Sequence, residues 1–257
     1  MAPDHPTPES PNRGTLLAVA RAIEPLLDEV VFVGGQVAEL LITDPAAVRV
    51  RPTTDVDVIV RTTTRLEYRK VEKRLAALGL ANDLSEGAPV CRWKTPQKHR
   101  LDVMPVDGSV LGFASRWYPL AVETATRVRL SDDVSISVPS APAYIATKWD
   151  AYLDRGEGDL LASHDLEDVI AVVAGRAEII DEVRDADDGL RAWLAPRVRG
   201  VPGRRPQRVC HPWRAAGRGS PSGTARPRPQ PLRAPGSSEG LIRPPTLLAP
   251  PRRPPPH

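Results

Sequence analysis

Residues 51–60 read Arg51-Pro52-Thr53-Thr54-Asp55-Val56-Asp57-Val58-Ile59-Val60. Acids alternating with valines are typical of a β-strand, in which successive side chains point to opposite faces. Asp55 and Asp57 are therefore expected on one face, with the intervening valines directed into a core. Two neighbouring carboxylates repel each other unless a cation lies between them. This stretch thus predicts a strand with a cation-binding pair, and its hard oxygen ligands favour Mg²⁺.

A glycine pair, Gly34-Gly35, precedes this strand and follows the apolar segment 31–33. The pattern predicts a buried strand that ends in a glycine turn, followed by a helix over 36–42. Glycines at such a turn allow backbone N–H groups to approach a phosphate at the start of the helix.

A third acid, Asp102, lies between Leu101 and Val103 in another predicted strand and should face away from both. If that strand lies beside the Asp55–Asp57 strand, three carboxylates converge. Three acids with two Mg²⁺ ions form the machinery of two-metal phosphoryl or nucleotidyl transfer. The alternative is that Asp102 is a surface residue and the pair a solvated strand end.

The remaining pattern predicts an α+β fold, in which a mixed sheet with helices is followed by a helical C-terminal half. Helices are expected over 15–28, 65–78, 142–153, 165–173 and 177–194, a hairpin over 90–93 and 100–104, and a strand over 134–138. Leu66, Val71, Leu75 and Leu78 should face inward in the second helix. We expect a disordered leader (1–13), a catalytic domain (14–139), a helical domain that completes the site (140–196) and a tail (197–257).

The tail differs in composition from the rest of the chain. Residues 197–257 contain 13 Arg, no Lys, one acid (Glu239) and 15 of the 29 prolines, so they carry +12 while the whole chain carries +3. A segment so rich in Arg and Pro cannot bury enough apolar surface to fold, and we expect disorder. It either binds nucleic acid through its charge or is an out-of-frame translation of GC-rich DNA without selected function.

Other classes of protein are disfavoured by the sequence. Cys91 and Cys210 form no disulfide framework, and no Cys/His set has metal-ligand spacing. No segment is long and apolar enough for a membrane span, and the N-terminal residues do not form a signal peptide. The expectation is a cytoplasmic protein with no membrane partner.

The motifs around these acids resemble a known superfamily. Gly34-Gly35 followed by Arg51-x-Thr53-x-Asp55-x-Asp57 resembles the nucleotidyltransferases that share their fold with DNA polymerase beta. Segments 101–107, 111–119, 140–148 and 158–170 are similar to the AbiEii/AbiGii toxin family, and the resemblance covers residues 15–195. The glycine pair stands where many superfamily members have Gly-Ser, so no side-chain hydroxyl would help to bind phosphate.

The resemblance implies a role for each matching residue. Gly34 and Gly35 would hold nucleotide phosphates, while Asp55, Asp57 and Asp102 would bind metal in a two-ion Mg²⁺ site. Lys148 would face the triphosphate, and Asp165 matches the acid of the family's Asp-x-x-Asp helix. The implied activity is transfer of NMP from a nucleoside triphosphate to a hydroxyl of tRNA or protein. The implied context is the toxin of a type IV toxin–antitoxin system with a cognate antitoxin.

Some of these residues also have a local interpretation. Lys148, Tyr152 and Arg155 share one helix face, which suits a triphosphate opposite a carboxylate cluster, although a solvent-exposed lysine is the alternative. Asp165 lies in the first turn of a helix, where acids are favoured by the helix dipole without any catalytic role. Segment 116–118 would either stack on a base or pack as a lid between the two halves.

Two other functions remain open at this stage. Antibiotic adenylyltransferases, such as those that modify lincosamides or aminoglycosides, carry a similar glycine and aspartate pattern. The other alternative is a catalytically inactive protein that binds a nucleotide or a partner without turnover.

Overall fold

The structure of the protein is a computed structural model that describes residues 10–47, 50–155 and 163–201, all of which belong to one compact unit. The strands are β1 (Val30–Val33), β2 (Asp55–Val60), β3 (Ala81–Asn82), β4 (Arg92–Lys94), β5 (Arg100–Pro105), β6 (Thr126–Arg129) and β7 (Ser135–Val138). The α-helices are α1 (Pro11–Ala22), α2 (Arg65–Ala77), α3 (Tyr118–Glu123), α4 (Ala141–Arg155), α5 (His164–Gly175), α6 (Ile179–Asp185) and α7 (Asp188–Arg199). Short 3-10 helices cover Glu24–Leu26 and Gly35–Leu41.

The main sheet has five strands in the order β1-β2-β5-β4-β3. β2 and β5 are parallel, whereas the other neighbouring strands are antiparallel. A separate ribbon consists of β6 and β7. The helices α4 to α7 follow in sequence, so the expected α+β fold with a mixed sheet and a helical C-terminal half is confirmed.

Strand β2 alternates as its sequence predicts. Val56 and Val58 are buried in the main core together with Leu101 of β5. On the opposite face of β2, Asp55 and Asp57 precede Ile59 along the strand. Ile59 packs in a second apolar cluster with Ala121 of α3 and Ala143 of α4. The acids therefore lie where β2 begins, just before helices α3 and α4 cover the sheet.

Helix α2 begins with a side-chain cap and buries a different face from the predicted one. Thr64 and Glu67 form a reciprocal capping box at its start. Leu66, predicted to face the core, is 69% exposed, whereas Tyr68 is fully buried and donates a hydrogen bond to the Val103 carbonyl at 2.8 Å. The stripe runs through Tyr68, Val71 and Leu75, and a residue two positions before Tyr68 projects to another side of the helix.

The helix predicted over 177–194 is two helices. The Asp187 side chain accepts hydrogen bonds from the backbone of Gly189 and Leu190, which starts a new helix, and Ala186 before it is extended. α7 then continues to Arg199, and both Val198 and Val201 are buried. The tail therefore starts later than residue 197, because residues 197–201 belong to the fold.

The N-terminal boundary also moves, since α1 starts at Pro11 and the predicted leader reached residue 13. The helix expected over 15–28 ends at Ala22, and a 3-10 turn that contains Pro25 replaces its second half. Residues 1–9 of the predicted leader and 202–257 of the predicted tail lie outside the described residues. Of the helices described, none combines the length and the apolar character that a membrane span needs.

Candidate active site

The sheet brings the third acid beside the pair. In the parallel register of β2 and β5, Asp57 pairs with Asp102, and Asp55 pairs with Arg100. Both acids point away from the core that holds Val56 and Leu101. The Asp102 strand therefore lies beside the Asp55–Asp57 strand, which was the condition for the three acids to come together.

An arginine from the next strand joins these carboxylates. Arg92 of β4 lies opposite Asp102 in the register and donates to both of its oxygens, from Nε at 2.8 Å and from Nη2 at 2.7 Å. The same Nη2 also donates to Oδ2 of Asp55 at 2.9 Å. Arg100 contacts the other oxygen of Asp55 at 3.4 Å. Two of the three acids are thus already neutralised by guanidinium groups.

This arrangement differs from the expected convergence of three acids on metal. Among residues 10–47, 50–155 and 163–201, no three His, Cys, Asp or Glu side chains are placed to hold one ion together. The physical reason is visible in the contacts, because Arg92 lies between Asp55 and Asp102. Of the three acids, Asp57 is the one that does not take part in these ion pairs with Arg92 and Arg100.

Asp57 has an unusual electrostatic environment. The pKa of Asp57 is raised to about 7, chiefly by burial; Asp102 and Asp55 add to the increase, while Lys148 and Arg92 oppose it. A carboxyl group in such surroundings gains from a bound cation. Asp57, with Asp55 on the same face, therefore fits one hard divalent ion.

The glycine turn closes directly over Asp57. Gly34 has a φ of +75°, and a Cβ at this position would lie 1.9 Å from Oδ2 of Asp57. Tyr144 of α4 donates a hydrogen bond to the Gly34 carbonyl at 3.1 Å, which fixes the turn from the helical half. Gly34 thus has a packing requirement as well as its predicted role in phosphate binding.

Two buried amides hold the segment that leads into β2. Gln36 donates to the Thr53 carbonyl at 2.7 Å, and Asn12 of α1 both accepts from the Thr53 backbone and donates to the Arg51 carbonyl. These bonds fix the backbone immediately before Asp55. No sequence pattern indicated Asn12, because its partners lie about forty residues away.

Lys148 lies inside the helical half instead of at the surface. Its ammonium group is 3.1 Å from Asp165 and 2.7 Å from Asp168, and its side chain is only 12% exposed. Burial alone would lower the pKa of Lys148, but Asp168, Asp165 and Asp57 together raise it, so the lysine is charged. Arg155 also pairs with Asp165, which confirms that Lys148 and Arg155 share one helix face.

Asp168, the second acid of the Asp-x-x-Asp helix, was not among the predicted site residues. Its side chain is 1% exposed, and its carboxylate lies between Lys148 and Arg51. A Cβ on Gly35 would lie 3.1 Å from its Oδ2, so this acid packs against the glycine turn. The available signal was its position three residues after Asp165, on the same helix face.

Arg92 was also missed, although alternation places it on the site face. Trp93, the next residue of β4, is buried in the main core, so Arg92 had to face the same way as Asp102. The partner of Arg92 depends on the hairpin register, which residue types alone do not determine.

The segment before α3 packs between elements. The rings of Trp117 and Trp193 lie 5.2 Å apart, and the Arg116 guanidinium lies over both. Arg116 also contacts Asp150 of α4 at 3.5 Å. These contacts favour the packed-lid interpretation of segment 116–118 over stacking on a nucleotide base.

Two solved structures are similar to this chain at low scores. One is a crystal structure of an antigenic nucleotidyltransferase-like protein from Paracoccidioides brasiliensis, with 18% identity, a TM-score of 0.43, and coverage of 73% of this chain and 87% of that chain. The other is a solution structure of the antibiotic-resistance factor ANT(2'')-Ia, with 16% identity, a TM-score of 0.41, and coverage of 72% and 90%. No protein-family model and no curated protein match the chain. Scores at this level assign no activity, and the AbiEii/AbiGii resemblance stays a prediction.

Proposed function

We propose that the protein is a Mg²⁺-dependent nucleotidyltransferase that transfers NMP from a nucleoside triphosphate to a hydroxyl acceptor. The observation that carries the proposal is the position of Asp57. It lies beside Asp102 in the β2–β5 register, under the Gly34 turn, and the pKa of its carboxyl group is raised to about 7. A site that gains from a cation next to a glycine turn suits a metal-bound triphosphate.

The chain's own residues would divide the work. Asp57 and Asp55 would hold Mg²⁺, which when bound supplies charge neutralisation for the triphosphate and lowers the pKa of the acceptor hydroxyl. Gly34 and Gly35 would leave the backbone accessible to phosphate oxygens. Lys148, charged and electrostatically coupled to Asp57, would attract the triphosphate from the helical side. Asp165 and Asp168 would orient the Lys148 ammonium group through their ion pairs.

The finer proposal concerns the biological acceptor. We assign the protein to the AbiEii type of toxin, with tRNA or protein as the acceptor and with a cognate antitoxin as a partner. This assignment is supported by the resemblance of segments 101–107, 111–119, 140–148 and 158–170. A neighbouring gene for a winged-helix antitoxin would support it further, and growth arrest on expression, relieved by that gene, would test it.

Ligand-induced stabilisation tests the metal assignment. Wild-type protein should gain thermal stability with Mg²⁺ plus nucleoside triphosphate, by about 2.7 kcal/mol at a ligand concentration one hundred times Kd. Asp57→Asn should lose this gain without losing stability in the absence of ligand, because it removes a repelling anion. Asp132→Asn, in the exposed turn between β6 and β7, is the matched control and should respond like wild type. Equal stabilisation of wild type and Asp57→Asn would refute the assignment.

A further inference from the structure

We propose that Arg92 is the resident cation of the third carboxylate, so that the site takes one divalent ion at Asp57 and Asp55 instead of two. This inference rests on the proposed function only in that a divalent ion binds at Asp57. It replaces the two-ion site expected from the sequence, and it gives Asp102 a different role. Asp102 would hold Arg92 and would not be a metal ligand.

Arg92 and Asp102 form a bidentate ion pair that uses both carboxylate oxygens. Nε and Nη2 donate to the two carboxylate oxygens at 2.8 and 2.7 Å, which is the bidentate geometry of the strongest arginine–carboxylate pairs. Both side chains are largely buried, at 17% and 11% exposure. A metal at Asp102 would have to compete with this pair and would remove the bidentate partner of a buried guanidinium, leaving it only its bond to Asp55, which is destabilising.

The position of Arg92 extends its effect to the neighbouring acid. Its Nη2 is shared between Asp102 and Asp55, so the guanidinium occupies the space between these two carboxylates. A second ion bridging Asp55 and Asp102 would face a fixed positive charge at hydrogen-bond distance. Asp57 takes part in none of these guanidinium ion pairs and lies beneath the Gly34 turn.

The charges of the cluster disfavour a second ion. Asp55, Asp57 and Asp102 carry three negative charges when ionised, and Arg92 and Arg100 supply two positive charges at hydrogen-bond or ion-pair distance. One divalent cation already exceeds the remaining negative charge, so a second would add to a positive excess. The other cationic group that acts on Asp57, Lys148, already compensates Asp165 and Asp168 in the helical half.

The number of ions per bound nucleotide tests this inference. Equilibrium dialysis of the full chain with Mn²⁺ and each of the four α,β-imido nucleoside triphosphates gives the ratio without any turnover. We expect one Mn²⁺ per bound nucleotide in wild type. The same ratio is expected in Asp102→Asn, in which the amide has the same shape as the carboxylate that it replaces. Arg92→Gln should raise the ratio towards two, because it frees both Asp102 oxygens.

Arg100→Gln is the matched control, since within the described part of the chain Arg100 forms its ion pair with Asp55, at 3.4 Å, and not with Asp102, and its side chain is half exposed. Its ratio should remain one. If Arg92→Gln does not fold, the ratios of Mn²⁺ to nucleotide in wild type and in Asp102→Asn still show whether Asp102 binds an ion. A ratio of two in wild type that falls to one in Asp102→Asn would overturn the Arg92 assignment while supporting a two-ion nucleotidyltransferase. Absence of bound Mn²⁺ and nucleotide from every variant would overturn this inference and the proposed function together.

Discussion

At the scale of single residues, the candidate site is built from charges that the fold holds apart or together. Asp57 lies under a glycine turn with a raised pKa, whereas Asp55 and Asp102 are neutralised by Arg92. Lys148 and Asp168 form a second charged pair in the interior of the helical half. The geometry of each group depends on a neighbour that a substitution can remove.

Gly34→Ala should both strain the turn and displace Asp57. The Gly34 backbone, with φ of +75° and ψ of −174°, lies in a region essentially restricted to glycine and costs about 1–3 kcal/mol for a residue with a Cβ. A carbon 1.9 Å from Asp57 Oδ2 adds overpacking of about 1–3 kcal/mol. Gly87→Ala separates the two effects, because Gly87 also has a positive φ of +76° but no atom within 4 Å of the point that its Cβ would occupy. Urea unfolding should show a larger loss for Gly34→Ala, and equal losses would argue against close packing on Asp57.

Lys148→Met should destabilise the protein as well as impair any activity. It leaves Asp168, which is buried, without its nearest cation, and removal of one partner from a buried ion pair costs about 3–5 kcal/mol. Chemical denaturation measures this loss. Lys70→Met, at an exposed position of α2, should change stability by less than about 0.5 kcal/mol. A Lys148→Met variant as stable as Lys70→Met would show that Lys148 is an ordinary surface lysine.

At the scale of elements, local signals predicted the parts that local chemistry determines. Strand β2 follows from the alternation of acids and valines, and it appears as expected. The division between α6 and α7 depends on the Asp187 cap, a signal that was present but was overridden by apolar periodicity. Tyr68 replaced Leu66 in the core because the buried face is set by what packs against the helix.

Helix α7 provides a test of where the fold ends. Val198 is 1% exposed, so Val198→Ala should cost about 2 kcal/mol through lost burial and a small cavity. The neighbouring Arg199 is exposed, and Arg199→Ala should stay within about 0.5 kcal/mol of wild type. Thermal melts of the two variants check the boundary. If both melt like wild type, the fold ends before residue 198, as composition alone indicated.

At the scale of the whole molecule, the sheet and the helical half act on the same site. The Gly34 turn is contacted by Asp57 from β2 and by Tyr144 from α4, and Gly35 packs against Asp168 from α5. Sequence motifs placed most of these residues in the site. Their mutual contacts, above all those of Arg92 and Asp168, depend on strand register and helix packing over long sequence separations and could not be predicted from residue patterns.

Turnover shows whether this site transfers NMP, as proposed. The purified protein is incubated with Mg²⁺, total RNA and each α-³²P-labelled nucleoside triphosphate, and label on RNA or protein is measured together with pyrophosphate release. We predict label transfer from at least one triphosphate, with a loss of at least about 100-fold in Asp57→Asn, equivalent to about 2.7 kcal/mol of barrier. Nucleotide binding without label transfer or pyrophosphate release for all four triphosphates, or equal transfer by wild type and Asp57→Asn, would contradict the claim.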